Sequence, residues 1–245
     1  MSILREALSI LRDDNAQPGP VAVAVLAVAE AVRQRLDVPA DAARVVWRCL
    51  CRSPGAPWAM DGAEVVALAD RTLVAEVVDA VCTRGAGRSL REAGMAALAD
   101  PKAGHGLSDD AVLRIVDCAY GHEVDHAAFV VVTVAEVRGM PHAILRSITE
   151  LWAAREDVRA RIAAVDLGEL LGPSDRTKLM ARMLLDSSSR VRSATALRLH
   201  MLDPRAAVAM IDAATSIEQD GGVRIDLERA RVDALDALRL IGRLS

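Results

Sequence analysis

Residues 184–206, LLDSSSRVRSATALRLHMLDPRA, decide the fold. Two apolar helical segments meet there at a serine turn, and the second opens with Val191-Arg192. An apolar residue followed by a charged one opens four further segments: Leu90-Arg91, Val124-Asp125, Val158-Arg159 and Val223-Arg224. In chain order the five anchors are spaced by 34, 34, 33 and 32 residues, the period of a helix-pair repeat. A pair this short cannot bury its own apolar face, so regular spacing implies stacking on neighbouring pairs. The expected class is all-α, an α-solenoid.

Working outward, turn residues punctuate the chain. The pattern predicts helices over 3–11, 20–36 and 41–52, with 13–20 as a linker and 53–58 as a loop. Asp61 and Glu64 have the spacing of a capping box. The helical region after them reaches Cys82, with a break near Asp70-Arg71. Gly85 and Gly87 form the turn before the Leu90 helix, which Asp100-Pro101 ends. A longer loop follows, and Ser108 is placed to cap the next helix. Helix pairs are then expected at 109–119 with 123–138, 141–153 with 157–171, 174–186 with 190–202, and 204–217 with 224–244. Gly221-Gly222 is the expected turn of the last pair. Residues 1–60 fit the period poorly and read as an N-terminal helical cap, with repeats over 61–245.

Composition limits function. Of 245 residues, 52 % are hydrophobic but only 2 % aromatic, so the core must be built from Ala, Val and Leu. A net charge of −4 argues against a solenoid that wraps nucleic acid, which needs a basic face. Lysine occurs only at Lys102 and Lys178, an arginine bias that points to a GC-rich bacterial genome. The apolar run 21–29 is too short to span a bilayer, and no leader is recognisable, so a cytoplasmic location is expected. Cys49, Cys51, Cys82 and Cys118 form no CxxC pair and read as buried thiols.

The pattern D…VR..A…L…DP over Asp186 to Pro204, with SLREAGMAALADP at 89–101 and EDVRARIAAVDLGEL at 156–170, resembles the second-helix signature of HEAT-like (armadillo-type) repeats. The resemblance covers roughly the last two thirds of the chain. It implies a right-handed α-α superhelix whose second helices line the inner face. Arg91, Asp125, Arg159 and Arg192 would then stand near the rim as candidate binding residues. The arginines read in two ways. They form a ladder for an acidic or phosphate-bearing partner, or each bonds an acidic residue or helix-end carbonyl of the neighbouring repeat.

One stretch looks catalytic. His122-Glu123-Val124-Asp125-His126 matches HExxH, in which two histidines one helical turn apart hold Zn²⁺ and the glutamate activates a metal-bound water. This resembles the zincin metallopeptidases, with Glu136, His142 or Glu150 as conceivable third ligands. Against it, the match falls in the opening turn of its helix and in phase with the repeat. Asp125 is charged where zincins carry an uncharged residue, and no strand pattern accompanies it. HEAT-like folds also include glycosylases for alkylated DNA bases. Tyr120, Phe129 and Trp152 could build an aromatic-acidic pocket of that kind, although Phe129 and Trp152 read as core. No phosphate loop and no Ser/His/Asp arrangement is present, and no motif asks for a cofactor. The sequence therefore favours a non-enzymatic scaffold for a protein or peptide partner, with a homodimer left open. The zinc peptidase and the glycosylase-related nucleic-acid binder are the alternatives.

Overall fold

The computed structural model describes residues 2–53, 55–68 and 71–244, and among these every regular element is helical. In chain order they are α1 (Ser2–Arg12), α2 (Pro18–Arg33), α3 (Ala42–Arg52), α4 (Ala59–Val66), α5 (Arg71–Cys82), α6 (Arg88–Leu98), α7 (Pro101–Gly104), α8 (Asp109–Cys118), α9 (Glu123–Arg138), α10 (His142–Ala153), α11 (Val158–Asp166), α12 (Pro173–Met183), α13 (Ser189–Arg198), α14 (Pro204–Ile217) and α15 (Gly221–Leu244). The all-α helix-pair architecture expected from the period is what the chain forms. Among the described residues, no helix is long and apolar enough to cross a membrane.

The chain divides into two compact units, Met1–Met140 and Pro141–Ser245. Gly139 caps α9 at φ +73, a conformation that costs residues with a Cβ. Pro141 then precedes α10.

In the first unit α2 packs on α4, α4 on α6 and α6 on α9, so the second helices form a row. α1 lies against α3, and α5 against α8, as the first-helix layer. The pairs α1–α2 and α3–α4 follow the same alternation as the later ones. The second unit repeats the scheme: α11, α13 and α15 stack in a row, and α10, α12 and α14 each pack on their pair partner.

The interior is made of small and medium apolar side chains. Val77, Val81, Met95 and Val124 are fully buried in the first unit, and Ile148, Trp152, Met180 and Val191 in the second. Each contributes about 1.5–3 kcal/mol relative to exposure, so burial outweighs surface ion pairs at about 0–1 kcal/mol each.

The predicted starts at Ser108, Pro173 and Pro204 are found: Ser108 Oγ accepts the Ala111 N–H at 3.2 Å, and both prolines open their helices. Five expectations are corrected. Of the cysteines read as buried thiols only Cys49 is buried; Cys51 is exposed and Cys82 and Cys118 are half-buried. Asp61 and Glu64 lie inside α4, which starts after Trp58, and both bond Arg33 instead of capping. Part of the loop after Asp100 is the short helix α7, with Asp100 accepting the Lys102 N–H. Gly221-Gly222 form the first turn of α15, because Asp220 accepts the N–H groups of Gly222 and Val223 at 2.9 and 3.1 Å. Phe129, expected in the core, is 64 % exposed. Asp70, half of the expected break, lies outside the described residues.

Candidate functional site

The region around the start of α9 brings several of the singled-out residues together. α8 ends at Cys118, and Ala119 turns to extended backbone. Gly121, at φ +57, redirects the chain into α9, whose N-cap is His122. The end of α8 leaves carbonyls without helical partners. Arg91, on the neighbouring second helix α6, donates from one Nη both to the Cys118 carbonyl and to Glu123 Oε2, the latter at 2.8 Å. The same carboxylate oxygen accepts the Tyr120 N–H at 3.3 Å. Glu123 is thereby held in place by both contacts, and its side chain is only 11 % exposed.

The motif recurs in the second unit. Arg192 holds Glu218 through two parallel bonds of 2.6 and 2.9 Å and reaches the Asp186 and Ser187 carbonyls. Arg161 pairs with Asp186 at 2.8 Å and reaches the Arg155 and Glu156 carbonyls. Both arginines therefore bond carbonyls five and six residues back and an acid one repeat ahead. Arg176 bonds the Gly168, Glu169, Leu171 and Met201 carbonyls. These guanidiniums close helix ends and tie neighbouring repeats.

The repeat register differs from the one the dipeptides suggested. Arg91, Arg161 and Arg192 are each the fourth residue past their N-caps, Gly87, Asp157 and Ser188. The structural equivalent of Val191-Arg192 is therefore Ala160-Arg161, not Val158-Arg159, and Ala160 and Val191 are both fully buried. In α9 the equivalent position is His126, not Asp125. Arg159 is half-buried, and its N–H bonds Asp157. Asp125 is exposed.

The electrostatics follow from these contacts. The Arg192 hydrogen bonds hold the Glu218 carboxyl down at about 2, below the usual carboxylate range, against the opposing effect of burial. At the end of α8 the Cys118 thiol is lowered by hydrogen bonding with Cys82 and by the nearby Arg91, while burial opposes. Cys82 moves the other way, raised by the same bond and by burial.

The residues of the HExxH match do not assemble a zinc centre. Among the described residues no three His, Cys, Asp or Glu side chains converge as a metal-binding group. Glu123, which would activate water, is committed to Arg91. Of the suggested third ligands, His142 uses Nε2 to accept the Gly172 N–H at 2.9 Å. Of the aromatic residues singled out, Tyr120 and Phe129 in the first unit are each 64 % exposed, and Trp152 is wholly buried within the second.

α9 instead presents a continuous exposed stripe. His122, Asp125, Phe129 and Glu136 are exposed, with Val132 half-exposed between them. Elsewhere in the row, Leu26 and Glu30 stand exposed on α2, and Met60 and Glu64 on α4. Arg33 of α2 joins these faces through Asp61 and Glu64. A concavity of about 660 Å³ opens beside α2 and α4, lined by Val21, Leu26, Arg52, Trp58 and Asp61 among others. Of its charged lining residues, Arg52 pairs with Asp14 and Asp61 with Arg33, while Asp13 accepts the Asn15 N–H.

Sequence reasoning missed Arg161, Arg176 and the Cys82–Cys118 approach. A signal existed for the cysteines: CTRG at 82–85 and CAYG at 118–121 recur 36 residues apart, close to the helix-pair period.

Neither a family model nor a curated protein matches this sequence. The crystal structure of an engineered protein aligns over 96 % of this chain and 98 % of its own, at 14 % identity and a TM-score of 0.35. A likeness that weak carries no argument about fold or function.

Proposed function

We propose that the chain is a non-catalytic, HEAT-like protein-binding scaffold of the bacterial cytoplasm. The observation that supports this reading is the division of labour among its side chains. Arg91, Arg161 and Arg192 are spent on holding repeats together, while the α9 stripe sets Phe129 outward beside Asp125 and Glu136. In a chain with five aromatic residues, exposing Phe129 and Tyr120 forgoes burial that each could supply. Exposed aromatics are the side chains that anchor interfaces.

The stripe also sets the partner's chemistry. Apolar anchors among carboxylates suit a protein segment carrying arginine or lysine beside aliphatic or aromatic residues, and they disfavour phosphate-bearing partners. Two arginines of the ladder that would have drawn an acidic peptide, Arg91 and Arg192, are already paired with Glu123 and Glu218 inside the fold.

Selection of displayed random peptides on the immobilised chain tests the reading. Enriched sequences are expected to combine basic and apolar residues, and to bind the Phe129→Ala, Asp125→Lys double variant weakly. Enrichment of acidic peptides, or equal binding to the variant, would sink it.

A further inference from the structure

Cys82 and Cys118 form a chemically reactive arrangement that the scaffold reading leaves unused. They are the last residues of α5 and α8, neighbouring first helices that pack against each other. Their sulfurs stand 3.4 Å apart as free thiols, and both side chains are only part-buried. The approach comes from the repeat itself: each cysteine ends its helix three residues before a positive-φ glycine, Gly85 or Gly121.

We propose that Cys82 and Cys118 are a peroxide-sensitive dithiol that closes into a disulfide stapling two adjacent repeats. Helix ends already placed side by side need only a modest side-chain rotation to bring the sulfurs to bonding distance near 2 Å.

The two thiols are chemically unequal. Cys118 is the more acidic, because Cys82 hydrogen bonds with it and Arg91 lies nearby. Arg114, paired with Asp79 at 2.8 Å, adds positive charge beside Cys82. Glu123 acts on Cys118 in the opposite sense, as does burial. The Cys118 thiolate is therefore the attacking sulfur.

Cys118 attacks one oxygen of hydrogen peroxide, the O–O bond breaks, and the leaving hydroxide takes a proton to become water. The product is Cys118 sulfenic acid. The Cys82 thiol then attacks that sulfur, an S–S bond forms as S–O breaks, and the hydroxyl leaves with the Cys82 proton as a second water. Each cysteine sulfur gives up one electron, and both peroxide oxygens end at the oxidation level of water.

The staple fixes α5 against α8. These helices belong to consecutive repeats, so oxidation would stiffen the first unit where the second-helix row passes from α6 to α9.

The test uses the full chain, reduced, freed of reductant, treated with hydrogen peroxide, alkylated and digested. A Cys82–Cys118 linked peptide is expected, with the intact chain lighter by two hydrogens and Cys49 and Cys51 still alkylated. Cys82→Ser should leave a dimedone-reactive sulfenic acid at Cys118, while Cys118→Ser should yield neither product. Melting curves of both reduced variants, matching the unmodified chain, would show that folding is intact. The inference is overturned if Cys82 and Cys118 remain alkylated when the exposed Cys51 oxidises, or if Cys118 pairs instead with another cysteine.

Discussion

Arg91 and Glu123, 32 residues apart in sequence, meet at 2.8 Å with both side chains largely shielded from water. The pair joins α6 to the first turn of α9. It turns the most catalytic-looking residue of the sequence into a strut. Removing one partner would leave the other charge buried with less compensation than it has now.

Glu123→Ala should therefore destabilise the chain by about 3 kcal/mol, the scale for breaking a buried pair. Glu123→Gln keeps an acceptor and should cost about 1–2 kcal/mol. Urea denaturation followed by circular dichroism measures both. A cost below about 0.5 kcal/mol for Glu123→Ala would mean that the pair is effectively solvated.

Arg161 tests whether shape or charge holds repeats together. Its guanidinium spans two carbonyls and the Asp186 carboxylate, which a lysine ammonium cannot reach together. Arg161→Lys should lower stability by about 1–2 kcal/mol despite the conserved charge. A stability equal to that of the unmodified chain would contradict the bridging role.

Glu218 makes the second unit acid-sensitive. Its folded carboxyl sits at about 2, against about 4.3 for a glutamate in an unfolded chain. A depressed carboxyl stabilises fully above the unfolded value, and this contribution is lost as pH falls from about 4.3 through about 2. Glu218→Gln should be less stable than the unmodified chain at pH 7, with the gap closing across that window. A gap independent of pH would contradict the linkage.

Gly94 sits where α6 lies against α5. A Cβ there would overlap Val81 Cγ2 and stand 3.4 Å from Trp47 and Val77, all in the buried core. Gly94→Ala should therefore destabilise by about 1–3 kcal/mol through overpacking, even though alanine is the better helix former by about 1 kcal/mol. A melting-temperature rise would mean that Val81 yields freely.

The helix pairs were legible because apolar spacing and the Pro, Gly and Ser punctuation act locally. α9 and α14 fall at the expected bounds, 123–138 and 204–217. The register of α11 was not legible. In VRAR both arginines follow a small or apolar residue, and only the Asp157 cap shows that Arg161 is the one in phase. Arg176 left no pattern, because its targets are main-chain carbonyls that any sequence supplies. Phe129 misled for a different reason: it lies in an apolar run whose helical phase nevertheless turns it outward between Asp125 and Glu136.

The measurement closest to the central claim is the affinity of a selected basic-apolar peptide for the unmodified chain and for the Phe129→Ala, Asp125→Lys variant. Melting curves should be recorded on the same samples. Truncating a true interface anchor costs about 2 kcal/mol or more, so binding should weaken by about 30-fold or more while melting stays unchanged. Equal affinity in the two proteins, or a loss of binding that only tracks a loss of folding, would contradict a binding surface on α9.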